Sequence, residues 1–161
     1  MSLMMEEIFD QPRALRRTFK AEREHAESVK QYARRRGLRL IVLVARGTSD
    51  NAAVFGRYLL ELTTGLPVSM CAPSIHTLYH TRLYLRQAVV VGISQSGEGA
   101  DINLVLKAAK RQGALTVGIT NEARSTMASL VDEVFLVRAG RQRSVAATIP
   151  PVPTGQGTVF P

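Results

Sequence analysis

Five short apolar runs rich in β-branched residues, with helix-compatible segments between them, constrain this chain more than any other feature. The first, Leu38 to Ala45 (LRLIVLVA), is nearly continuous in its hydrophobicity, as expected of a strand covered on both faces in a parallel sheet. Comparable runs recur at Pro67 to Cys71, Ala88 to Ile93, Leu115 to Ile119 and Glu133 to Val137. Between them lie helical patterns around Asn51 to Leu62, Ser74 to Leu78, Ile102 to Gln112 and Ser125 to Val131. Strand and helix thus alternate throughout. Right-handed crossovers place such helices on both faces of the sheet, so the pattern predicts an α/β fold, a three-layer α-β-α sandwich on a five-stranded parallel sheet.

Upstream, residues 6 to 36 carry a helical pattern in which Ile8, Leu15 and Phe19 recur at helix-compatible spacing. Gln11-Pro12 interrupts it near the start and Gly37 ends it, which predicts two N-terminal helices. The expected organisation is N-terminal helices over 1–37, a binding domain over 38–148 and a Pro/Gly-rich tail over 149–161. With 161 residues and 45% hydrophobic content the chain has material for one sizeable core. No apolar run approaches the roughly 18 residues of a membrane span, and the N-terminal stretch does not have the pattern of a signal peptide. A soluble, cytoplasmic protein with no membrane partner is the expectation. Cys71 is the single cysteine, so no intrachain disulfide can form.

The formal net charge of +8 raises the question of an anionic partner. Much of it lies in two clusters, Arg13/Arg16/Arg17 and Arg34/Arg35/Arg36, which read as a solvated basic face or an inter-subunit surface. Zinc-finger spacing and aromatic-rich strand motifs are missing, and only 37 residues precede the first strand, which is tight for a helix-turn-helix module. These features argue against nucleic acid as the partner.

Ligands of doubly wound folds bind at the carboxyl ends of strands. Two such ends are rich in small polar residues: Gly47-Thr48-Ser49-Asp50 after the first strand and Ser94-Gln95-Ser96-Gly97-Glu98-Gly99 after the third. The second offers two hydroxyls, an amide, and a glycine that frees the backbone, and a helix begins near Ala100 or Asp101. A phosphate there would meet hydroxyl protons, backbone N–H groups and the positive end of a helix dipole together. The alternative is a loop that only turns the chain into its helix. Neither a Gly-x-x-x-x-Gly-Lys-Ser/Thr loop nor a Gly-x-Gly-x-x-Gly turn is present, which disfavours nucleotide cofactors; no cofactor is expected. The Gly47-Thr48-Ser49 turn adds donors suited to sugar hydroxyls, so the pair suggests a phosphosugar.

Four stretches then carry a specific resemblance: Glu7-Ile8-Phe9-Asp10-Gln11-Pro12, Ala45-Arg46-Gly47-Thr48-Ser49-Asp50-Asn51-Ala52-Ala53, Ser94-Gln95-Ser96-Gly97-Glu98, and Ala139-Gly140 with Ser144-Val145-Ala146-Ala147-Thr148. In this order the chain resembles the sugar isomerase (SIS) domain family, and within it the first isomerase half of glucosamine-6-phosphate synthase-like and fructosamine-phosphate deglycase-like proteins. The resemblance implies a flavodoxin-like SIS fold. It implies that Ser49, Ser94, Gln95 and Ser96, with the backbone near Val145, bind a sugar phosphate such as fructose 6-phosphate or glucosamine 6-phosphate; Gly47, Thr48 and Gly97 join the expected site from the donors and backbone freedom of the two loops. Amino-sugar metabolism, by an isomerase or an isomerising aminotransferase, is the implied setting, and a homo-oligomer such as a dimer the implied assembly.

The chain departs from the family pattern at two places. Gly99 stands where the family has a hydroxyl residue after Ser-Gln-Ser-Gly-Glu, which removes one phosphate donor. After Thr148 the chain runs into Ile149-Pro150-Pro151-Val152-Pro153, where the family continues with lysine into a helix and a second half. In the resembling enzymes the ring-opening and proton-shuttling residues lie in that second half, so no catalytic residue is assigned here. The expectation is a binding domain not catalytically complete alone. The alternatives are a regulatory sugar-phosphate-sensing module and a single-half isomerase completed by oligomerisation.

Three further candidates weigh less. His76 and His80 have the i, i+4 spacing that can clamp zinc from one helical face, but no third ligand is evident nearby, so no metal is expected. Glu98 could act as a base, although a carboxylate beside a phosphate would be repelled and is better turned away. Arg46 could lend charge to the site or anchor the strand end.

Overall fold

The computed structural model describes residues 3–79 and 81–140. Its elements, in chain order, are α1 (Leu3–Arg35), β1 (Leu40–Val44), α2 (Thr48–Thr64), β2 (Val68–Met70), α3 (Ser74–Thr77), β3 (Ala88–Ile93), α4 (Ala100–Arg111), β4 (Leu115–Thr120), α5 (Thr126–Leu130) and β5 (Glu133–Leu136). The strands form one five-stranded sheet in the order β2-β1-β3-β4-β5, and every pairing is parallel. This is the α/β sandwich that the apolar runs predict. Its strand order reverses direction between β1 and β3, which are paired from Leu40↔Ala88 to Val44↔Gly92.

The continuous hydrophobicity of β1 has its reason in this position. Alternate side chains of a strand point to opposite faces, and here Val42 and Val44 enter one core with Val90, Leu106 and Met127. Ile41, Leu43 and Ala45 enter the other, with Ala53 of α2 and Val68 of β2. A third cluster gathers Leu38, Leu115 and Val117, and Ala33 of α1 packs on it. Leu43 and Leu106 are 1% and 0% exposed, so each contributes about 1.5–3 kcal/mol relative to an exposed side chain. Gly92 and Gly118 are paired across β3 and β4. A β-carbon on Gly92 would lie 2.7 Å from Leu106 Cδ1, and one on Gly118 would lie 3.0 Å from Met127 Cγ. Bare backbone at these two points lets α4 and α5 approach the sheet.

The N-terminal region corrects one expectation. In place of two helices there is a single helix of 33 residues with Pro12 inside it. Proline removes one i→i−4 hydrogen bond and crowds one carbonyl, a cost of about 3 kcal/mol, and it bends or ends a helix according to its surroundings. Here the neighbours Ala14, Leu15, Arg16 and Arg17 are strong helix formers, and Ala14 is buried, so the helix runs through.

Helix α1 is fastened to β5 and the segment after it by polar contacts. Arg138 Nη2 donates to Glu22 Oε1 at 2.8 Å, and His25 Nε2 lies 2.8 Å from Glu133 Oε2. Thr18 Oγ1 donates to the carbonyl of Val137, and the His25 ring stacks on Phe135 with centroids 4.6 Å apart. The hydrogen bond to Glu133 raises the His25 pKa above its ordinary value; burial opposes this and Glu22 adds to it. Among the described residues no helix is long and apolar enough to cross a membrane.

Candidate functional site

The crevice outside the carboxyl ends of β1 and β3 is the topological switch point of this strand order, where doubly wound sheets bind ligands. Both polar loops singled out in the sequence open there, because Val44 and Gly92, near the ends of β1 and β3, are partners in the sheet. The first loop is shorter than the sequence pattern suggests. Helix α2 already begins at Thr48, with Gly47 as its N-cap at φ 61°, so Thr48 and Ser49 sit in the first helical turn. Ser49 is buried and Thr48 exposed, and among the described residues neither hydroxyl makes a hydrogen bond.

In the second loop the side chains hold the backbone and keep donors in reserve. Gly97 N–H donates to Ser94 Oγ at 3.1 Å and Glu98 N–H donates to Ser96 Oγ at 3.3 Å. Each serine oxygen therefore accepts from the loop and retains its own O–H as a donor. The loop carbonyls are occupied. Gln95 O accepts from Asn121 N–H at 3.0 Å and from Thr120 Oγ1 at 3.0 Å. Gly97 O accepts from Met127 N–H at 3.0 Å and from Asn103 Nδ2 at 3.1 Å. These are the acceptors that would otherwise repel a phosphate oxygen. Gly97 adopts φ 68°, and a β-carbon there would fall 2.2 Å from Ser125 Oγ, so glycine is required twice over at this position.

Helix α2 with Gly47 as N-cap, and α4 with Gly99, both start without a side-chain cap. By contrast α5 is capped by its own sequence, since Ser125 Oγ accepts from Ala128 N–H. A helix start carries orphan N–H groups and roughly half a positive charge, and two such starts open on one crevice. That is an electrostatic arrangement for an anion, built without a lysine.

Two of the nearby charged side chains, Glu98 and Arg46, are engaged by protein partners. Glu98 accepts from Thr126 Oγ1 at 2.6 Å and from Thr126 N–H at 2.8 Å. These bonds, the hydroxyl's first, lower its pKa below the usual carboxylate value. It is thus turned to α5, a poor position for a general base. Arg46 Nε pairs with Asp101 Oδ2 at 2.9 Å and ties the end of β1 to the start of α4.

Beside the loop lies an open cleft of about 820 Å3 whose lining includes Gln95, Ser96, Asn121, Glu122, Arg138 and Gly140. Gly47, Thr48, Ser49 and Ser94 do not line it, so the described sequence-predicted residues fall into two sets, Gln95 and Ser96 at the cleft and Gly47, Thr48, Ser49, Ser94 and Gly97 at the strand ends beside it. Sequence reasoning passed over Asn121. Its Nδ2 donates to Gly140 O at 2.8 Å and its Oδ1 accepts from Ala139 N–H at 2.8 Å, which pins the segment after β5 beside the loop. The available signal was its place directly after β4, at a third strand end. Arg138 was also missed; it reaches the cleft from a left-handed backbone at φ 52°. Val145 and His80 lie outside the described residues, as does the 149–161 tail. His76 is buried, and burial lowers its pKa. Among the described residues no group of three or more His, Cys, Asp or Glu could hold a metal ion.

Comparison with known proteins agrees with this geometry. The family model described as SIS domain matches residues 36–152. A glutamine–fructose-6-phosphate aminotransferase (isomerizing) of Symbiobacterium thermophilum is 36% identical over 152 residues, covering 90% of this chain and 25% of the relative. The mouse glutamine–fructose-6-phosphate aminotransferase (isomerizing) 2 is 36% identical over 160 residues, covering 91% of this chain and 22% of that protein. The solved C-terminal domain of the glucosamine-fructose-6-phosphate aminotransferase of Francisella tularensis superposes with a TM-score of 0.79 at 30% identity, over 91% of this chain and 42% of that one. The chain spans about a quarter of the length of these curated relatives. With the strand order, the two polar strand ends and these matches in agreement, the chain belongs to the SIS domain family.

Proposed function

We propose that the chain binds a phosphorylated sugar or amino sugar, such as fructose 6-phosphate or glucosamine 6-phosphate, in the crevice between β1 and β3. The observation that carries this reading is the pair of uncapped helix starts there, α2 at Gly47 and α4 at Gly99. In this reading the phosphate takes the hydroxyls of Ser94 and Ser96 and the amides around Gly97, while Thr48 and Ser49 serve the phosphate or the sugar hydroxyls. Gln95 bridges the crevice and the adjoining cleft. Gly99 contributes no side-chain donor; a hydrogen bond of that kind is worth about 0.5–1.5 kcal/mol, more when charge-assisted.

The site is assigned binding rather than proton transfer, since the two carboxylates at the Ser94–Gly99 loop and the α4 start, Glu98 and Asp101, are engaged by Thr126 and Arg46. Isomerisation or amino transfer, the activities named for the relatives, would then need groups from a further segment or a second copy. One feature favours such an association over a solitary sensing module: α2 exposes Val54, Phe55, Tyr58 and Leu62 at 60%, 58%, 65% and 67%. An apolar stripe of this kind marks a protein-protein contact. Light scattering over a concentration series tests the self-association arm, which a monomer at every concentration would remove.

Binding is tested by thermal unfolding with fructose 6-phosphate, glucosamine 6-phosphate, free fructose and inorganic phosphate, on the parent chain and on Ser94→Ala/Ser96→Ala. A ligand at 100 times its Kd stabilises by about 2.7 kcal/mol. The expected result is a rise with the phosphosugars that exceeds inorganic phosphate and disappears in the double variant. Equal midpoints with and without phosphosugar at millimolar concentration would overturn the assignment.

A further inference from the structure

A second cleft lies away from the β1/β3 crevice, between α4 and the segment that follows α3. It measures about 450 Å3, and its lining includes His76, Arg82, Lys107, Arg111 and Gln112. Leu104, Lys107, Ala108 and Arg111 all line it, at the i, i+3, i+4, i+7 spacing of a single helical face. Among the described residues no carboxylate lines it. Arg82, Lys107 and Arg111 are exposed, and among the described residues none of the three has an ion-pair partner. The remaining cation of α4, Lys110, is by contrast paired with Asp132 at 2.9 Å.

Two buried polar atoms of the same cleft, His76 Nε2 and Gln112 Oε1, have no hydrogen-bond partner. Leaving such an atom unpaired costs about 1–3 kcal/mol, and in folded proteins the great majority are satisfied. Only three such atoms occur among the described residues, and the third, Asn103 Oδ1, is on the first turn of α4, where Asn103 Nδ2 donates to the Gly97 carbonyl of the first site. His76 is 9% exposed, and burial lowers its pKa. At neutral pH its ring is therefore uncharged, and Nε2 can accept or donate one hydrogen bond according to tautomer.

From three unpaired cations on one concave surface and two orphaned polar atoms buried in residues of its wall, we infer that this cleft is a second ligand site, for a small organic phosphate that also carries hydroxyl groups. The phosphate answers the guanidinium groups of Arg82 and Arg111 and the ammonium of Lys107. With a small turn of these two side chains toward the cleft, a ligand hydroxyl donates to Gln112 Oε1, and the same or a neighbouring hydroxyl pairs with His76 Nε2. Bare phosphate would meet the charges and leave the Gln112 acceptor unpaired. Water would satisfy the acceptor and leave the charges. The volume falls within the range of small-molecule sites. The first site lies at the N-terminus of α4 and this one along its later turns, roughly 15 Å away at 1.5 Å per residue, so two ligands can be held at once.

The test uses the full chain carrying Ser94→Ala/Ser96→Ala, which silences the first site, beside the parent chain. Ribose 5-phosphate, inorganic phosphate and ribose are titrated while the His76 ring is followed by nitrogen NMR and the unfolding midpoint is recorded. Ribose 5-phosphate is expected to move the His76 signals in both chains, and to do so at lower concentration than phosphate or ribose. In Arg82→Gln/Arg111→Gln, whose substituted side chains are exposed, the titration shifts to concentrations at least about tenfold higher. Unmoved His76 signals at millimolar ribose 5-phosphate would overturn the inference, even if the first site binds normally. So would an equal response to sodium chloride at matched ionic strength, which would mean general screening and no site.

Discussion

Replacing Gly97 by alanine tests the reasoning about the loop most directly. Two penalties combine at this position. The backbone is left-handed at φ 68°, which costs a residue with a β-carbon about 1–2 kcal/mol. The added carbon would also fall 2.4 Å from Ser125 Cβ and 2.2 Å from Ser125 Oγ, with Thr120 Oγ1 at 3.1 Å. Ser125 is buried and its hydroxyl caps α5, so it cannot swing aside freely; forced overpacking of this kind costs about 1–3 kcal/mol. The sum, about 2–5 kcal/mol, is a large part of the 5–15 kcal/mol typical of a domain. Gly65→Ala is the control, since Gly65 is left-handed at φ 69° and ψ 7° with nothing within 4 Å of an added carbon. It should lose only the backbone share. Ser125→Gly in the Gly97→Ala background removes the atoms in the way, and serine to glycine at a cap costs only a few tenths of a kcal/mol. Urea unfolding of the parent, Gly97→Ala, Ser125→Gly and the double variant isolates the steric part as a coupling energy. If Gly97→Ala costs no more than Gly65→Ala, or if Ser125→Gly recovers nothing, the packing of the loop against α5 is wrong.

Two further expectations follow from the hydrogen-bonding groups. The folded His25 pKa is raised by Glu133 and Glu22, so its contribution to stability is fully present below the ordinary value of 6.5 and is lost as pH climbs through the raised folded value. His25→Gln should flatten that part of the thermal-midpoint profile, and an unchanged profile would remove the α1–β5 contact as its cause. Thr126→Val deletes the 2.6 Å hydroxyl bond to Glu98, so carboxyl NMR should show the Glu98 pKa moving up toward its ordinary 4.5; a pKa that stays down would refute the assigned cause.

Much of the fold is legible in the chain because strands buried on both faces cannot hide their composition. The runs at β1, β3 and β4 have to be apolar at successive positions, and their number and spacing predict the sandwich. The long N-terminal helix was less legible: Pro12 reads locally as an interruption, and whether a helix survives one proline depends on its flanks and on packing, such as the burial of Ala14. At the site, glycine, serine and threonine at two strand ends can be read as donors, but their division of labour cannot. That Ser94 and Ser96 each hold a loop amide, while Thr126 takes up Glu98, depends on residues brought together from separate segments.

The sequence alone determined that strands and helices alternate, that two strand ends are rich in small donors, and that the charge balance is basic, since each is a property of neighbouring residues. Only the tertiary structure decided which strand ends lie side by side, which carboxylates are spent on partners, and which cations stay unpaired. Arg82 and Arg111 are 29 positions apart in the chain, yet they line one cleft with the unpartnered His76 and Gln112. Desolvation and Coulomb energy depend on distance in space, and that distance is set by the packing of α4 on the sheet and on the segment before β3.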